Sequence, residues 1–524
     1  MKAGWALLRR RDFGLLWAGG LISETGDWFL LVGLPFWVLQ ETGSSLVTAS
    51  VFLVGLLPGL VAGPLAGVLV DRWDRRRTLV AVSLAEAAFL LPLLAVDGQD
   101  RLWIVYLVIA VEATLAQLND PARNALVPTL VPKDDLVGAN ALIGLNTNVA
   151  RLAGSPLGGI LVEVAGLPGL VIGDAASFLL GAALIGLVRP VGVGRQGTVG
   201  GPGTMDGPAT VEQPMTVDAL ATRNSPVPLD SAVTVDSAIS LDPAVSLDPA
   251  VSLDPALTAE PSVTAERARS NPASRFAGPR RGSVADGEAE GSGLSTAAVQ
   301  GAAAEPRGVV GEWVDGLRVV AGDRELVWGL VVNGLAAVAQ GIFTVLFVLF
   351  VTRVLGGDGA DVGLLRGVQA IGGLLGGVVV VGLARRLEPG RLLGVSLLVF
   401  AVIDLAMWNG PLVTTSQWLY LGLFVAAGIP GIGFLTGLTA LVQERTEDAY
   451  LGRVFATYYG AFNGLMALGM LLAGLLGDTV GVVPVLNGQA GLYLLAGIVA
   501  VATLGRARPA GYPRTSKRER IPLA

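Results

Sequence analysis

Runs of about 20 apolar residues, crossed by few charges, recur along most of this chain. That is the length a helix needs to cross the hydrocarbon core of a bilayer, where only self-satisfied backbones persist. Six runs occupy residues 13–40, 45–70, 78–96, 102–119, 137–165 and 168–188. Six more occupy 326–353, 361–383, 391–408, 415–442, 452–477 and 484–505. Only 15% of the 524 residues are charged, against about 25% in soluble chains. The pattern predicts an all-α membrane protein of twelve transmembrane helices in two six-helix halves. Gly and Pro inside the runs do not oppose helix, because membrane helices tolerate both.

Positive charge predicts the orientation. Lys2 and Arg9–Arg11 precede the first run, and Arg72 with Arg75–Arg77 follow the second. Arg123 and Lys133 lie between the fourth and fifth, and Arg385, Arg386 and Arg391 between the eighth and ninth. Arg445 and Arg453 come before the eleventh, and a basic tail occupies 506–524. All fall on one side, so both termini and the middle of the chain are expected to be cytoplasmic. The opposite loops carry only Arg101 and Arg353. The first run has no short core followed by a cleavage site, so it reads as a retained span rather than a signal peptide.

Residues 190–308 are rich in Pro, Gly, Ser, Thr, Ala and Asp, with a six-residue repeat that begins at Ser240-Leu241-Asp242-Pro243-Ala244-Val245. Such a stretch buries too little apolar surface to offset the entropy of ordering. It is expected to be a long disordered cytoplasmic linker between an N-terminal half (1–189) and a C-terminal half (309–505). The stretch 309–325 is helix-compatible and amphipathic, suited to the inner membrane surface. The acidic balance of the chain comes from this middle region.

Chemistry is bounded by what is missing. There is no Cys and no His. Disulfides, thiolate metal sites and His-based acid–base steps are thereby excluded, and proton handling falls to Asp and Glu. No HExxH or GxxxxGK[ST] motif occurs, and no basic patch is interleaved with aromatics. The expectation is neither an enzyme nor a nucleic-acid binder, with no cofactor and no metal. A monomer in the lipid bilayer is expected, with a small-molecule substrate and protons as partners.

After the second run the chain reads Gly63-Pro64-Leu65-Ala66-Gly67-Val68-Leu69-Val70-Asp71-Arg72-Trp73-Asp74-Arg75-Arg76-Arg77. This resembles the signature loop of the major facilitator superfamily, matched at Gly67, Asp71, Arg72, Arg75 and Arg76. Asp74 stands where many members have Gly, a spelling (DRxDRR) similar to one exporter subgroup. Asn119-Asp120-Pro121-Ala122-Arg123-Asn124-Ala125-Leu126 and Leu136-Val137-Gly138-Ala139-Asn140 are also family-like. Arg151-Leu152-Ala153-Gly154-Ser155-Pro156-Leu157-Gly158-Gly159 resembles the antiporter motif, with the Pro one residue late; Gly154, Gly158 and Gly159 offer a smooth face and Pro156 a bend. Glu447-Asp448-Ala449-Tyr450-Leu451-Gly452-Arg453 precedes the eleventh run. The resemblance spans both halves and looks like the drug and siderophore exporter branch, which includes enterobactin exporters and macrolide efflux proteins. It implies the major facilitator fold and a cytoplasmic latch in which Asp71 meets the helix start near Gly452-Arg453. The bland alternative is that the arginines only set topology.

Ionisable residues inside spans are functional candidates by default. At 1.5 Å per residue, Glu24 and Glu112 both lie about 16 Å deep, near the midplane. Asp27, Arg151 and Asp174 lie at a common level nearer the opposite face. Glu24 and Glu112 read as a carboxylate pair for proton or substrate, or as groups facing a wet vestibule. Asp27, Arg151 and Asp174 read as a coupling cluster, or as a static ion-pair network. In the C-terminal half, Asn333, Gln340, Tyr458 and Asn463 are candidate pocket residues, and Arg366 is expected to snorkel to the outer surface. A mostly apolar cavity with a few acids suits a bulky amphipathic molecule. Proton-coupled efflux of a hydrophobic drug or siderophore-like metabolite is the leading expectation. Import of a small nutrient on the same fold is the alternative.

Overall fold

The computed structural model describes residues 6–70, 72–189 and 309–505. The expected linker, the basic tail and Asp71 lie outside the described residues. Among those described, all regular structure is helical. In the N-terminal half these are α1 Arg11–Thr42, α2 Ser45–Val70, α3 Arg75–Leu90, α4 Leu102–Ala116, α5 Asn119–Leu126 and α6 Leu136–Gly186. The C-terminal half has α7 Val309–Gly322, α8 Arg324–Leu349, α9 Gly359–Ala384, α10 Pro389–Asn409, α11 Gln417–Arg445, α12 Leu451–Gly477 and α13 Val482–Thr503. Each of the twelve apolar runs coincides with helix. By length and hydropathy, nine helical stretches among the described residues suffice to cross a bilayer. One of them, Lys133–Gly186, holds two of the expected spans.

Local chemistry sets the boundaries. Gly43 ends α1 in the left-handed region (φ 61°), its N–H bonded to Leu39 O. Only Gly adopts that conformation without steric cost. Gly166 (φ 62°) breaks α6 into two arms just before Pro168. Asp74 caps α3, its carboxylate accepting from the Arg77 N–H at 2.8 Å. The acid that replaces Gly in the signature loop is therefore a helix cap. Asp358 and Asp361 form a capping box at the start of α9, and Pro389 opens α10 at the first turn.

The two halves repeat one packing plan. α1 lies along the first arm of α6 so closely that a Cβ on Gly158 would come within 2.6 Å of Phe29 Cα. In the other half α8 meets α12 the same way, through Gly341 and Gly469. α2 packs on α4 as α9 packs on α11, and α3 on α6 as α10 on α13. Small residues allow this approach where lipid provides no hydrophobic drive between helices. Val402, Val378, Ile172 and Ile498 instead face outward and are well exposed, as a lipid-facing surface requires. Trp103 and Trp418, at the matching starts of α4 and α11, are 62% and 81% exposed. Indole rings favour that position, at the boundary of bilayer and water.

Contacts between the halves gather at the end away from the arginine-rich loops. There α2 packs on α12, with Gly474 against Ala49 and Leu46. The first arm of α6 packs on α9, with Gly159 against Gly359 and Gly363 against Ser155 and Pro156.

Candidate functional site

A cavity of about 130 Å³ sits within the N-terminal half, between α1, α3, α5 and α6. Glu24, Asp27, Trp28, Ser83, Arg123 and Thr147 are among its walls. Its mixed lining follows from the sequence. α1 presents Gly20, Ser23, Glu24 and Asp27 on one side, while the Gln117–Leu118 break between α4 and α5 turns Asn119, Asp120 and Arg123 inward.

Arg123 forks between two acids, donating one nitrogen to Glu24 and the other to Asp120. Both acids and the arginine are largely shielded, at 18–22% side-chain exposure. At such exposure an ion pair keeps much of its strength and removing one member is costly. Thr147 on α6 donates to the second Glu24 oxygen at 3.3 Å. Arg123 counts as a loop charge in the sequence; here it is a half-buried partner on a helix. The signal was the helix-compatible run from Asn119 to Leu126, whose Pro121 sits in the first turn.

Asp27 lines the same cavity one turn farther along α1. Asp174 lies against α1 at Gly26, where a Cβ would meet its Oδ1. Ser177 donates to Asp174 at 3.2 Å. Its Oδ2 is buried without a hydrogen-bond partner among the described residues. Glu112 on α4 likewise has one buried oxygen without such a partner, and its electrostatic neighbours are Glu86, Asp174 and Asp27. Arg151 lies on the first arm of α6, its guanidinium 5.8 Å from the Trp28 ring centroid and 3.5 Å from Asn148 Oδ1. The structure thus joins Glu24 to Arg123, and groups Asp27, Glu112 and Asp174 with a further acid. That acid, Glu86 on α3, is 1% exposed and accepts from Asn119 at 2.9 Å. It lies inside the third apolar run, so the rule that singles out Glu24 applies equally to it.

In the C-terminal half, Asn333 donates to Tyr458 O at 3.1 Å, and Tyr458 donates to Leu326 O at 2.5 Å. These bonds tie α8 to α12. Gln340 accepts from Tyr493 at 3.2 Å and borders a small cavity with Phe400 and Phe462. Asn463 is half-buried on α12. A second missed acid, Asp404 on α10, is 1% exposed and accepts from Gln489 at 2.7 Å. Arg366 does not snorkel: it is 7% exposed, 5.4 Å from the Phe343 ring centroid. Aromatic faces attract guanidinium there more than the helix end does.

At the signature loop, Gly67 lies within α2 and Arg72 is exposed. Arg75 donates to Ala125 O at 2.9 Å, and Arg76 to the Ile185 and Gly186 carbonyls. Both cap helix C-termini inside the N-terminal half, where cations are favoured. Arg453 sits 5.5 Å from the Tyr450 ring centroid, and its carbonyl backs onto Gly316 of α7. The span-5 motif divides its work: Gly154 and Gly158 meet α1, whereas Gly159 and Pro156 meet α9.

Residues 2–191 match the profile of a family described as transmembrane secretion effector, and residues 329–523 match that of the Major Facilitator Superfamily. Macrolide efflux protein A of Streptococcus pyogenes is 27% identical over 179 residues, 34% of this chain and 44% of that protein. The multidrug efflux pump Tap of Mycolicibacterium fortuitum is 29% identical over 195 residues, 36% of this chain and 47% of Tap. The chain thus spans about half the length of the curated relatives it matches. Among solved structures, a bacterial homologue of the iron transporter ferroportin in an inward-facing state superposes with TM-score 0.59 at 16% identity, covering 95% of this chain and 99% of that one. The nucleoside transporter NupG gives 0.61 at 10% identity, covering 95% and 99%. With a matching profile in each half and this fold over nearly the whole length, the chain belongs to the major facilitator superfamily and is a multi-pass membrane protein.

Proposed function

We propose that this transporter is an exporter that exchanges protons for a hydrophobic or amphipathic molecule by alternating access. The observation that carries the reading is the Glu24–Arg123–Asp120 fork on the wall of the N-terminal cavity. A carboxylate held by a cation in a site that opens to each aqueous phase in turn can release its partner when it takes a proton. Asp27, exposed to the same cavity, is the second proton-accepting candidate. Trp28 and Leu31 supply the apolar surface that an amphipathic molecule would cover. The efflux relatives support the direction.

The test is accumulation of ethidium and of a macrolide in a strain lacking the gene, complemented with wild type or variants, with and without an uncoupler. Wild type lowers accumulation and the uncoupler abolishes the effect. Glu24→Gln and Asp27→Asn insert normally and lose efflux. Uncoupler-sensitive efflux of wild-type rate in both variants would overturn the coupling assignment. Lower accumulation in the strain without the gene would instead favour import.

A further inference from the structure

At the end of the molecule away from the arginine-rich loops, three hydrogen bonds bind one half to the other, and an ion pair within the C-terminal half links two of the residues that make them. Asp478, just after α12, accepts from the Ser45 N–H at 2.8 Å and from Arg353 at 2.7 Å. Arg353, in the helical turn just after α8, also donates to Gly43 O at 2.6 Å. Ser45 donates its hydroxyl to Gly474 O at 2.8 Å. Gly43 and Ser45 belong to the N-terminal half and the other three to the C-terminal half, so every bond except Arg353–Asp478 crosses between halves. The residues of the turn suit these contacts. Gly43 in the left-handed region turns its carbonyl toward Arg353, and Ser45 offers a first-turn N–H, free of any intrahelical acceptor, to a carboxylate. Beneath them Ala49 and Leu46 abut Gly474, closing the gap with apolar atoms.

We infer that Arg353 and Asp478 are positioning residues for transport: bridging Gly43 and Ser45, they hold this end shut and set the balance between conformations open to either side. The inference rests on alternating access, and on charge asymmetry for assigning this end to the outside. It also accounts for Arg353, one of two basic residues on that side. A cation there is disfavoured by the topology rule unless something holds it.

The chain has no Cys, so a single introduced thiol is the only one to react. Thr48, fully buried about one turn below Ser45, is near-isosteric with Cys. Thr48→Cys is labelled with a membrane-impermeant maleimide on intact cells and, separately, on inside-out vesicles. Ser83→Cys, in the N-terminal cavity, reports on the other end. In the Asp478→Asn and Arg353→Gln backgrounds, labelling of Thr48→Cys from outside rises about tenfold, since a charged hydrogen bond is worth a factor of that order. Labelling of Ser83→Cys falls reciprocally, and Arg353→Lys restores part of the protection. Unchanged rates at both positions from both sides overturn the inference, and so does a rise at both, which marks general loosening. The reciprocal change seen with the two sides exchanged supports the gate and overturns the assigned orientation. Because labelling needs no substrate or proton gradient, the result is independent of whether efflux is proton-coupled.

Discussion

Arg123 stands between Glu24 and Asp120, and its removal leaves two shielded carboxylates facing each other with no cation between them. Breaking one member of such a pair costs about 3 kcal/mol or more. Arg123→Ala is therefore expected to lower the melting temperature of the purified protein markedly and to abolish efflux. Arg123→Lys should recover part of the stability, since it keeps the charge but loses the fork. Equal melting temperatures for all three proteins would show that the fork carries no weight. Asp478 makes a pH prediction. Burial alone would raise it, but hydrogen bonds from Arg353 and Ser45, with the Arg353 charge, outweigh burial and hold the carboxyl below the usual carboxylate range. A lowered acid contributes its full stabilisation above the ordinary carboxylate pKa and loses it as pH falls through the lowered value. Arg353 is the facing ion. The difference in melting temperature between wild type and Asp478→Asn should be constant from neutral pH to about pH 5 and shrink only in stronger acid. A difference that already vanishes near pH 6 would contradict the assigned contacts.

Helix packing is decided by a few absent side chains. A Cβ on Gly158 meets the Phe29 backbone, which cannot swing aside as a flexible side chain would. Gly158→Ala should push α1 from α6 and destabilise by about 1–3 kcal/mol. Gly464→Ala, in open space on α12, should be neutral or slightly stabilising through helix propensity. Comparing the two melting temperatures checks this; equal shifts would refute the packing account. Elements of this kind are the legible part of the sequence. The helices follow from apolar runs, and Gly154, Gly158 and Gly159 from their spacing. Partner choice is not legible in the same way. Counting residues along an axis yields depth but not the face a side chain points to. Hence Glu24 and Glu112 share a level while Glu24 bonds Arg123. Arg366 reads as a surface group because its distance from the helix end says nothing of Phe343 and Phe347 across from it. Glu86 and Asp404, by contrast, were available to the rule for intramembrane charges.

On the scale of the whole molecule, one packing plan is used twice with different side chains. The N-terminal copy lines a cavity with Glu24, Asp27 and Asp120 and carries three further acids, Glu86, Glu112 and Asp174, on the surrounding helices. The C-terminal copy packs Phe343 against Phe347 and Phe400 against Tyr493, and ties its helices with Asn333 and Tyr458. Acids inside the expected spans are thus concentrated in the N-terminal half, with Asp404 the counterpart in the C-terminal one, which a hydropathy profile alone does not reveal.

The two-residue connection at Gly43 has a mechanical consequence. α1 is a continuous helix with the carbonyl that Arg353 grips at its tip and Glu24 about 28 Å down its length. Pro35 lies between them and, lacking an N–H, makes that stretch the natural flexing point. Release of the tip, as the proposed gate requires, is therefore expected to bend α1 at Pro35, between the gripped carbonyl and the acid.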